Sequence, residues 1–337
     1  MYASRITALA LTGALLAACG GGPSDEVGAK ARSDAETGIT LVTYAVTEPG
    51  WSTVIPAFHD SEFGEGVEVT ASYGASADQS RGVADGKPAD VVNFSVEPDI
   101  TRLVDAGKVS SSWNDDATKG IPFGSVVTLV VRKGNPLNIR SWDDLLRPGL
   151  EVITPNPLSS GSAKWNLLAP YAATSDGGKN PQAGLDFITK LVNDHVRLRP
   201  GSGREATDVF TQGSGDVLIS YENEAIAAEH QGKDVEHVVP ERTFRIDNPV
   251  AVVTTTRHLD AATAFKNFLY LPQTQRLWAQ AGFRPVDPAV RTEFAATFPT
   301  PRTLYTIDDL GGWDAVDPQL FAKSTGAITH IYLEATG

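Results

Sequence analysis

Ser125-Val-Val-Thr-Leu-Val-Val-Arg132 is a run of β-branched and aliphatic residues with almost no polar alternation. A strand that is apolar on both faces belongs inside a sheet that helices cover on both sides. The chain on either side of it alternates in the same sense. Upstream, residues 41–46, 67–72 and 89–94 are short β-rich runs. A helical spacing of apolar residues over 53–63 separates the first two, and a second helical pattern over 97–106, closed by Gly107, follows the third. Downstream, Ser141-Trp-Asp-Asp144 starts a short helix with a capping pattern. Strands are then predicted at 151–154, 195–198, 216–221, 235–239 and 250–254. Helices are predicted at 163–173, 181–192, 206–212, 222–231, 261–271 and 274–281. Such alternation predicts α/β layers with mainly parallel sheets. At 337 residues the chain suits two domains better than one, and no internal repeat divides it.

Charge narrows the function class. Lys and Arg total 28 against 41 Asp and Glu, a net charge of −13. No nucleic-acid partner is expected, because neutralising phosphates needs clustered Lys and Arg. The single cysteine excludes a disulfide framework and a thiolate zinc cluster. That cysteine ends an N-terminal pattern in which Arg5 is followed by an apolar stretch over 6–18 and then by Leu16-Ala-Ala-Cys19. The stretch is short for a membrane span and suits a secretory signal. Small residues before the only cysteine resemble a bacterial lipobox, which implies cleavage after residue 18 and lipid on the Cys19 sulfur. Without Arg5 the mature chain keeps 27 basic against 41 acidic residues, a charge of about −14. Residues 19–38 are polar and Gly-rich and are predicted to be a flexible tether. The chain is therefore expected to be exported and held at the membrane only by its lipid.

Catalytic motifs fail one after another. The six histidines have no His-Glu-x-x-His or similar metal-ligand spacing. Gly74-Ala-Ser-Ala-Asp78 lacks the last glycine of a nucleophile elbow. Gly82-Val-Ala-Asp-Gly-Lys-Pro88 has the wrong spacing for a phosphate loop and a proline where a hydroxyl would hold magnesium. Gly201-Ser-Gly-Arg-Glu-Ala206 matches the form of a dinucleotide fingerprint, but it lies deep in an exported chain with no dinucleotide pool. No cofactor and no metal is expected. What remains is a set of small-residue turns, each where a strand feeds a helix: Tyr73-Gly-Ala-Ser76, Leu158-Ser-Ser-Gly-Ser162 and Gly201-Ser-Gly203. Helix N-termini of this kind leave backbone N–H groups without intrahelical acceptors and bind anions. One such turn alone reads as ordinary capping, whereas a set of them in one exported α/β chain points to an anion site.

Longer motifs carry a family resemblance. Arg132-Lys-Gly-Asn-Pro136, Val152-Ile-Thr-Pro-Asn-Pro157, Ser159-Ser-Gly-Ser-Ala-Lys-Trp-Asn166 and Gly215-Asp-Val-Leu-Ile-Ser-Tyr-Glu-Asn-Glu-Ala225 resemble the sulfate/thiosulfate-binding proteins of bacterial ABC importers. Phe283-Arg-Pro285 and Thr306-Ile-Asp-Asp-Leu-Gly-Gly-Trp313 extend the match, in order, over most of the chain. The resemblance implies a two-lobed, hinge-closing periplasmic-binding-protein-like (type II) α/β fold with an oxyanion buried between the lobes. It further implies a non-enzymatic, monomeric component that delivers sulfate to a permease and its ATPase.

The lobes are expected at 39–122 with 248–337, and at 123–247, crossing near Phe123 and Asn248. The resemblance places ligand contacts at Ser76, at Ser160, Gly161 and Ser162, and at Ser202 or Gly203. Tyr221 stands where the family has a tryptophan, and Ala45 where it has an aspartate near the first strand. Arg204 is expected behind the site rather than on the ligand. A donor-only site suits a fully ionised oxyanion, whereas a protonated phosphate would leave its own donor unpaired. Thiosulfate, molybdate or another tetrahedral oxyanion fits the same binding class. A secreted hydrolase with Ser160 or Ser76 as nucleophile is the remaining possibility of a different class.

Overall fold

The computed structural model describes residues 37–335. The signal segment, Cys19 and the tether up to residue 36 lie outside the described residues, and the first strand begins at Thr37, two residues before the expected start of the lobe. In chain order the strands are β1 (Thr37–Tyr44), β2 (Val67–Gly74), β3 (Val91–Asn93), β4 (Phe123–Arg132), β5 (Val152–Ile153) and β6 (Val196–Leu198). They continue with β7 (Val217–Tyr221), β8 (Val235–Val238), β9 (Arg242–Asn248), β10 (Val250–Val252), β11 (Arg284–Pro285) and β12 (Thr303–Tyr305). The helices are α1 (Glu48–His59), α2 (Ser76–Ala84), α3 (Glu97–Asp105), α4 (Gly161–Thr174), α5 (Pro181–Lys190) and α6 (Gly203–Thr211). After these come α7 (Glu222–His230), α8 (Leu259–Phe268), α9 (Pro272–Gln280), α10 (Pro288–Glu293), α11 (Trp313–Val316) and α12 (Ala327–Glu334).

Two sheets form two lobes. The first has the order β10-β3-β1-β2, with β1 parallel to β2 and β3. The second runs β12-β9-β4-β7-β5-β6, with β8 and β11 also paired to β4. The 125–132 run lies within β4, buried along nearly all its length, and it is the spine of the second sheet. That sheet is mixed rather than mainly parallel. β4 enters it against the direction of β7, β8 and β9, while β5 runs parallel to β6 and β7. The antiparallel sense follows from the chain's path, since β4 carries it out of the first lobe and β9 brings it back.

These two strands join the lobes. Phe123 pairs with Asn248, and β10 starts two residues later in the first sheet. Phe123 itself stacks on Trp278 at a centroid distance of 3.8 Å, within the first lobe's core of Trp51, Phe58, Phe265 and Phe283. Only a few residues further along β4, Val127, Leu129 and Val131 lie in the second core. One strand thus changes cores within about one turn of its pleat.

Proline and cap chemistry set several helix starts. Pro49 sits in the first turn of α1, so the helix begins at Glu48, ahead of the predicted apolar spacing, and stops at His59. β9 alternates apolar and polar only over residues 244–247, because its other buried positions, Thr243 and Asn248, are polar, with the Thr243 hydroxyl donating to Val127 O at 2.6 Å. Its pairing with β4 is what makes it a strand. The end of the chain also departs from expectation. β12 pairs with β9, and Trp313, Val316, Leu320, Phe321, Ile328 and Tyr332 join the second core, so residues 303–335 belong to the second lobe and not, with the rest of 248–337, to the first.

Candidate functional site

Three helix N-termini and the Tyr221 phenol meet where the lobes face each other. Gly161, first residue of α4, lies so close to the first lobe that a Cβ built on it would stand 2.8 Å from Ser95 Cβ, 3.0 Å from Ser95 Oγ and 3.3 Å from Ser76 Cβ. Ser76 is the first residue of α2. Gly203, first residue of α6, is equally close-packed, its notional Cβ falling 2.8 Å from Val46 Cγ2 and 2.9 Å from Ser162 Oγ. Tyr221 precedes α7 and its hydroxyl lies 2.7 Å from Ser95 Oγ. No side chain caps α2 or α4, whereas in α7 Asn223 N donates to Ser125 Oγ at 3.3 Å. In α4 Ala163 N turns back to Ser160 O, and in α2 Ala77 N is taken by Ser159 O. The helix dipoles at these ends favour negative charge.

The structure brings Ser76, Gly161, Ser162, Gly203 and Tyr221 together, with Ser160 and Ser202 next to them in the chain at the starts of α4 and α6. Ser76, Ser160, Ser162, Ser202 and Tyr221 are all buried. Their roles differ in detail. The Ser76 hydroxyl donates to Asp99 Oδ2 at 2.6 Å and accepts from Ser95 N at 3.0 Å, so its backbone N–H is the group it can offer an anion. Ser160 is the N-cap of α4, yet its hydroxyl makes no capping bond. Ser202 does cap α6, accepting from Glu205 N at 3.2 Å, which leaves Gly203 as the residue packed directly against Ser162. Ala45 opens a single 3-10 turn, Ala45–Thr47, at the end of β1.

Among the described residues, several hydrogen bonds join the lobes at the site. Besides the Ser95–Tyr221 pair, the Trp165 indole donates to Ser95 O at 2.6 Å and Ala77 N donates to Ser159 O at 3.3 Å. Ser95 and Trp165 were not singled out by motif. The sequence does hold a signal for Ser95, since Val91-Val-Asn-Phe-Ser95 is one more strand ending in a small polar residue before a helix.

Carboxylates near the site are all occupied. Asp99 Oδ1 accepts from Arg102 at 2.8 Å, opposite the oxygen that holds Ser76. Glu222 takes both its bonds from Arg284, at 2.6 and 2.8 Å. Glu224 lies 2.9 Å from Arg204 Nη2 and accepts from Thr207 Oγ1 at 2.8 Å. Burial pushes the Glu224 carboxyl up, and Arg204 and Thr207 pull it down. Burial likewise pushes the Tyr221 phenol well up against hydrogen bonds to Ser95 and Ser162, so it stays protonated at neutral pH. The bonds that fix Ser76 involve a carboxylate and a backbone N–H, without an imidazole among them.

Residues 39–284 match the family model for bacterial extracellular solute-binding proteins. A sulfate-binding protein of Synechococcus elongatus is 38% identical over 95% of this chain and 92% of its own length. The chain belongs to the sulfate-binding protein family. A thiosulfate-binding protein of Pseudomonas aeruginosa is also similar, at 33% identity over 86% of this chain and 91% of its own. Among solved structures, the sulfate-binding protein SubI of Mycobacterium tuberculosis H37Rv is 76% identical, with a TM-score of 0.84 over 85% of this chain and 100% of that one. The two-lobed α/β fold of the family is the fold described above.

Proposed function

We propose that this protein captures sulfate between its lobes, at the meeting point of α2, α4, α6 and Tyr221, and delivers it to an ABC importer. The observation that carries the proposal is the convergence of uncapped helix N-termini from both lobes on one buried place. Oriented N–H dipoles bind a dianion without a counter-charge, and their positive ends face the same point. The sulfate-binding relatives support the choice of ligand. The Asp99 carboxylate is held by Ser76 and Arg102 and the Glu222 carboxylate by Arg284, while Glu224 is ion-paired with Arg204. The protein acts by binding rather than catalysis, in keeping with its sulfate-binding relatives.

Calorimetric titration of the purified protein with sulfate, thiosulfate, molybdate and phosphate tests this. Sulfate is expected to bind at least about tenfold more tightly than phosphate, since an unpaired buried donor costs about 1–3 kcal/mol. The margin should widen from mildly alkaline to mildly acidic solution as phosphate gains a proton. Phosphate binding as tight as sulfate in mild acid would refute the donor-only site. Tightest binding of thiosulfate would move the protein to the role named for its Pseudomonas relative.

The proposal includes a lipid anchor at Cys19, for which Leu16-Ala-Ala-Cys19 is the support. Cys19→Ala is then expected to release the protein from the membrane fraction, because the anchor is lipid on that sulfur alone and stable attachment needs about two acyl chains. Fractionation of cells expressing the two forms checks this, and equal membrane retention of the variant would rule the anchor out.

A further inference from the structure

We infer that Ser95 sets the affinity of the oxyanion site by pairing its hydroxyl with the Tyr221 phenol across the cleft, which ties the two lobes together at the site. The inference rests on the sulfate-binding reading above. Ser95 is fully buried, and each of its polar atoms is in use. Its N–H donates to Ser76, its carbonyl accepts from Trp165, and its hydroxyl meets the Tyr221 phenol at 2.7 Å. Two of these partners, Trp165 and Tyr221, belong to the second lobe.

The Ser76 hydroxyl has one hydrogen, and Asp99 holds it. Ser76 therefore cannot donate its hydroxyl to a ligand that has no proton. The Ser95 and Tyr221 hydroxyls share one hydrogen bond across the cleft, which consumes one of their two hydrogens and leaves the other to turn toward a bound dianion. Without Ser95 the phenol keeps its hydrogen but loses the partner on the opposite lobe that holds it in place. Ser95 therefore acts as a positioning residue, and it functions with Tyr221 as a pair.

The experiment is a double-mutant cycle on the full mature chain, reading sulfate affinity by calorimetry and release by stopped-flow. Ser95→Ala is expected to weaken sulfate about ten- to a hundredfold, mainly through faster release. The backbone bonds to Ser76 and Trp165 survive that change, so the fold should too. Tyr221→Phe should lose a similar factor. If the two hydroxyls act as one pair, Ser95→Ala/Tyr221→Phe will be within about threefold of the weaker single variant. Losses that multiply in the double variant would overturn the pair, as would native affinity in Ser95→Ala. Failure of the native protein to bind sulfate would instead sink the proposed function itself, and this inference with it.

Discussion

Gly161→Ala is expected to weaken sulfate binding by about five- to a hundredfold while leaving the ligand-free protein as stable as before or slightly more so. The two effects have different origins. Alanine is favoured over glycine in a helix by about 0.5–1 kcal/mol, and Gly161 is the first residue of α4 without a left-handed backbone that would require glycine. Within its own lobe the methyl does no harm. The atoms it would meet, Ser95 Cβ at 2.8 Å and Ser95 Oγ at 3.0 Å, stand on the opposite lobe. Overpacking of this kind costs about 1–3 kcal/mol, and here the strain is relieved simply by keeping the lobes apart. A protein that closes less often binds its ligand more weakly by the fraction of time it is competent. Calorimetry gives the affinity, and thermal unfolding without ligand gives the stability. Unchanged affinity would mean that closure does not bring Gly161 against Ser95 when sulfate is bound.

Gly161 also shows what could be read from the sequence and what could not. Its run, Ser159-Ser-Gly-Ser162, announces a helix start with free donors, and the strand-turn-helix pattern repeats at Ser76 and Gly203. Local chemistry suffices for that, because a turn's residue types follow from the backbone it must make. β4 was legible for the same reason, as a long β-branched run has few other places to go. β9 was not, since its buried positions include Thr243 and Asn248 and its strand character comes from pairing with β4. The placement of 303–335 on the second lobe is a matter of the same kind, decided by which core Trp313 and Phe321 reach. Ser95 belongs to both classes. Its turn is visible in sequence, but its partners Tyr221 and Trp165 are far along the chain, and only the closed fold puts them in contact.

The second large effect concerns the ion pair behind the site. Arg204→Met should destabilise the protein by about 3–5 kcal/mol at neutral pH, because it strands a buried carboxylate. Glu224 has a side chain only 1% exposed, and Arg204 Nη2 stands 2.9 Å from it. Thr207 gives Glu224 one further bond, which cannot replace a charge. The deficit should depend on pH in a definite direction. Burial already raises the Glu224 carboxyl above its ordinary range and Arg204 is what restrains it, so the variant raises it further. A carboxyl with a raised folded-state pKa takes up its proton in the folded protein before the unfolded chain does. Its contribution is therefore complete below the unfolded pKa and is lost as pH climbs through the folded one. The variant should fall furthest below native in neutral and alkaline solution, and recover part of the gap as pH drops toward the ordinary carboxylate range. Urea unfolding across that interval measures it, and adding Glu224→Gln to Arg204→Met should flatten the pH dependence by removing the titrating group. A gap that stays constant with pH would show that something other than the stranded Glu224 destabilises the variant.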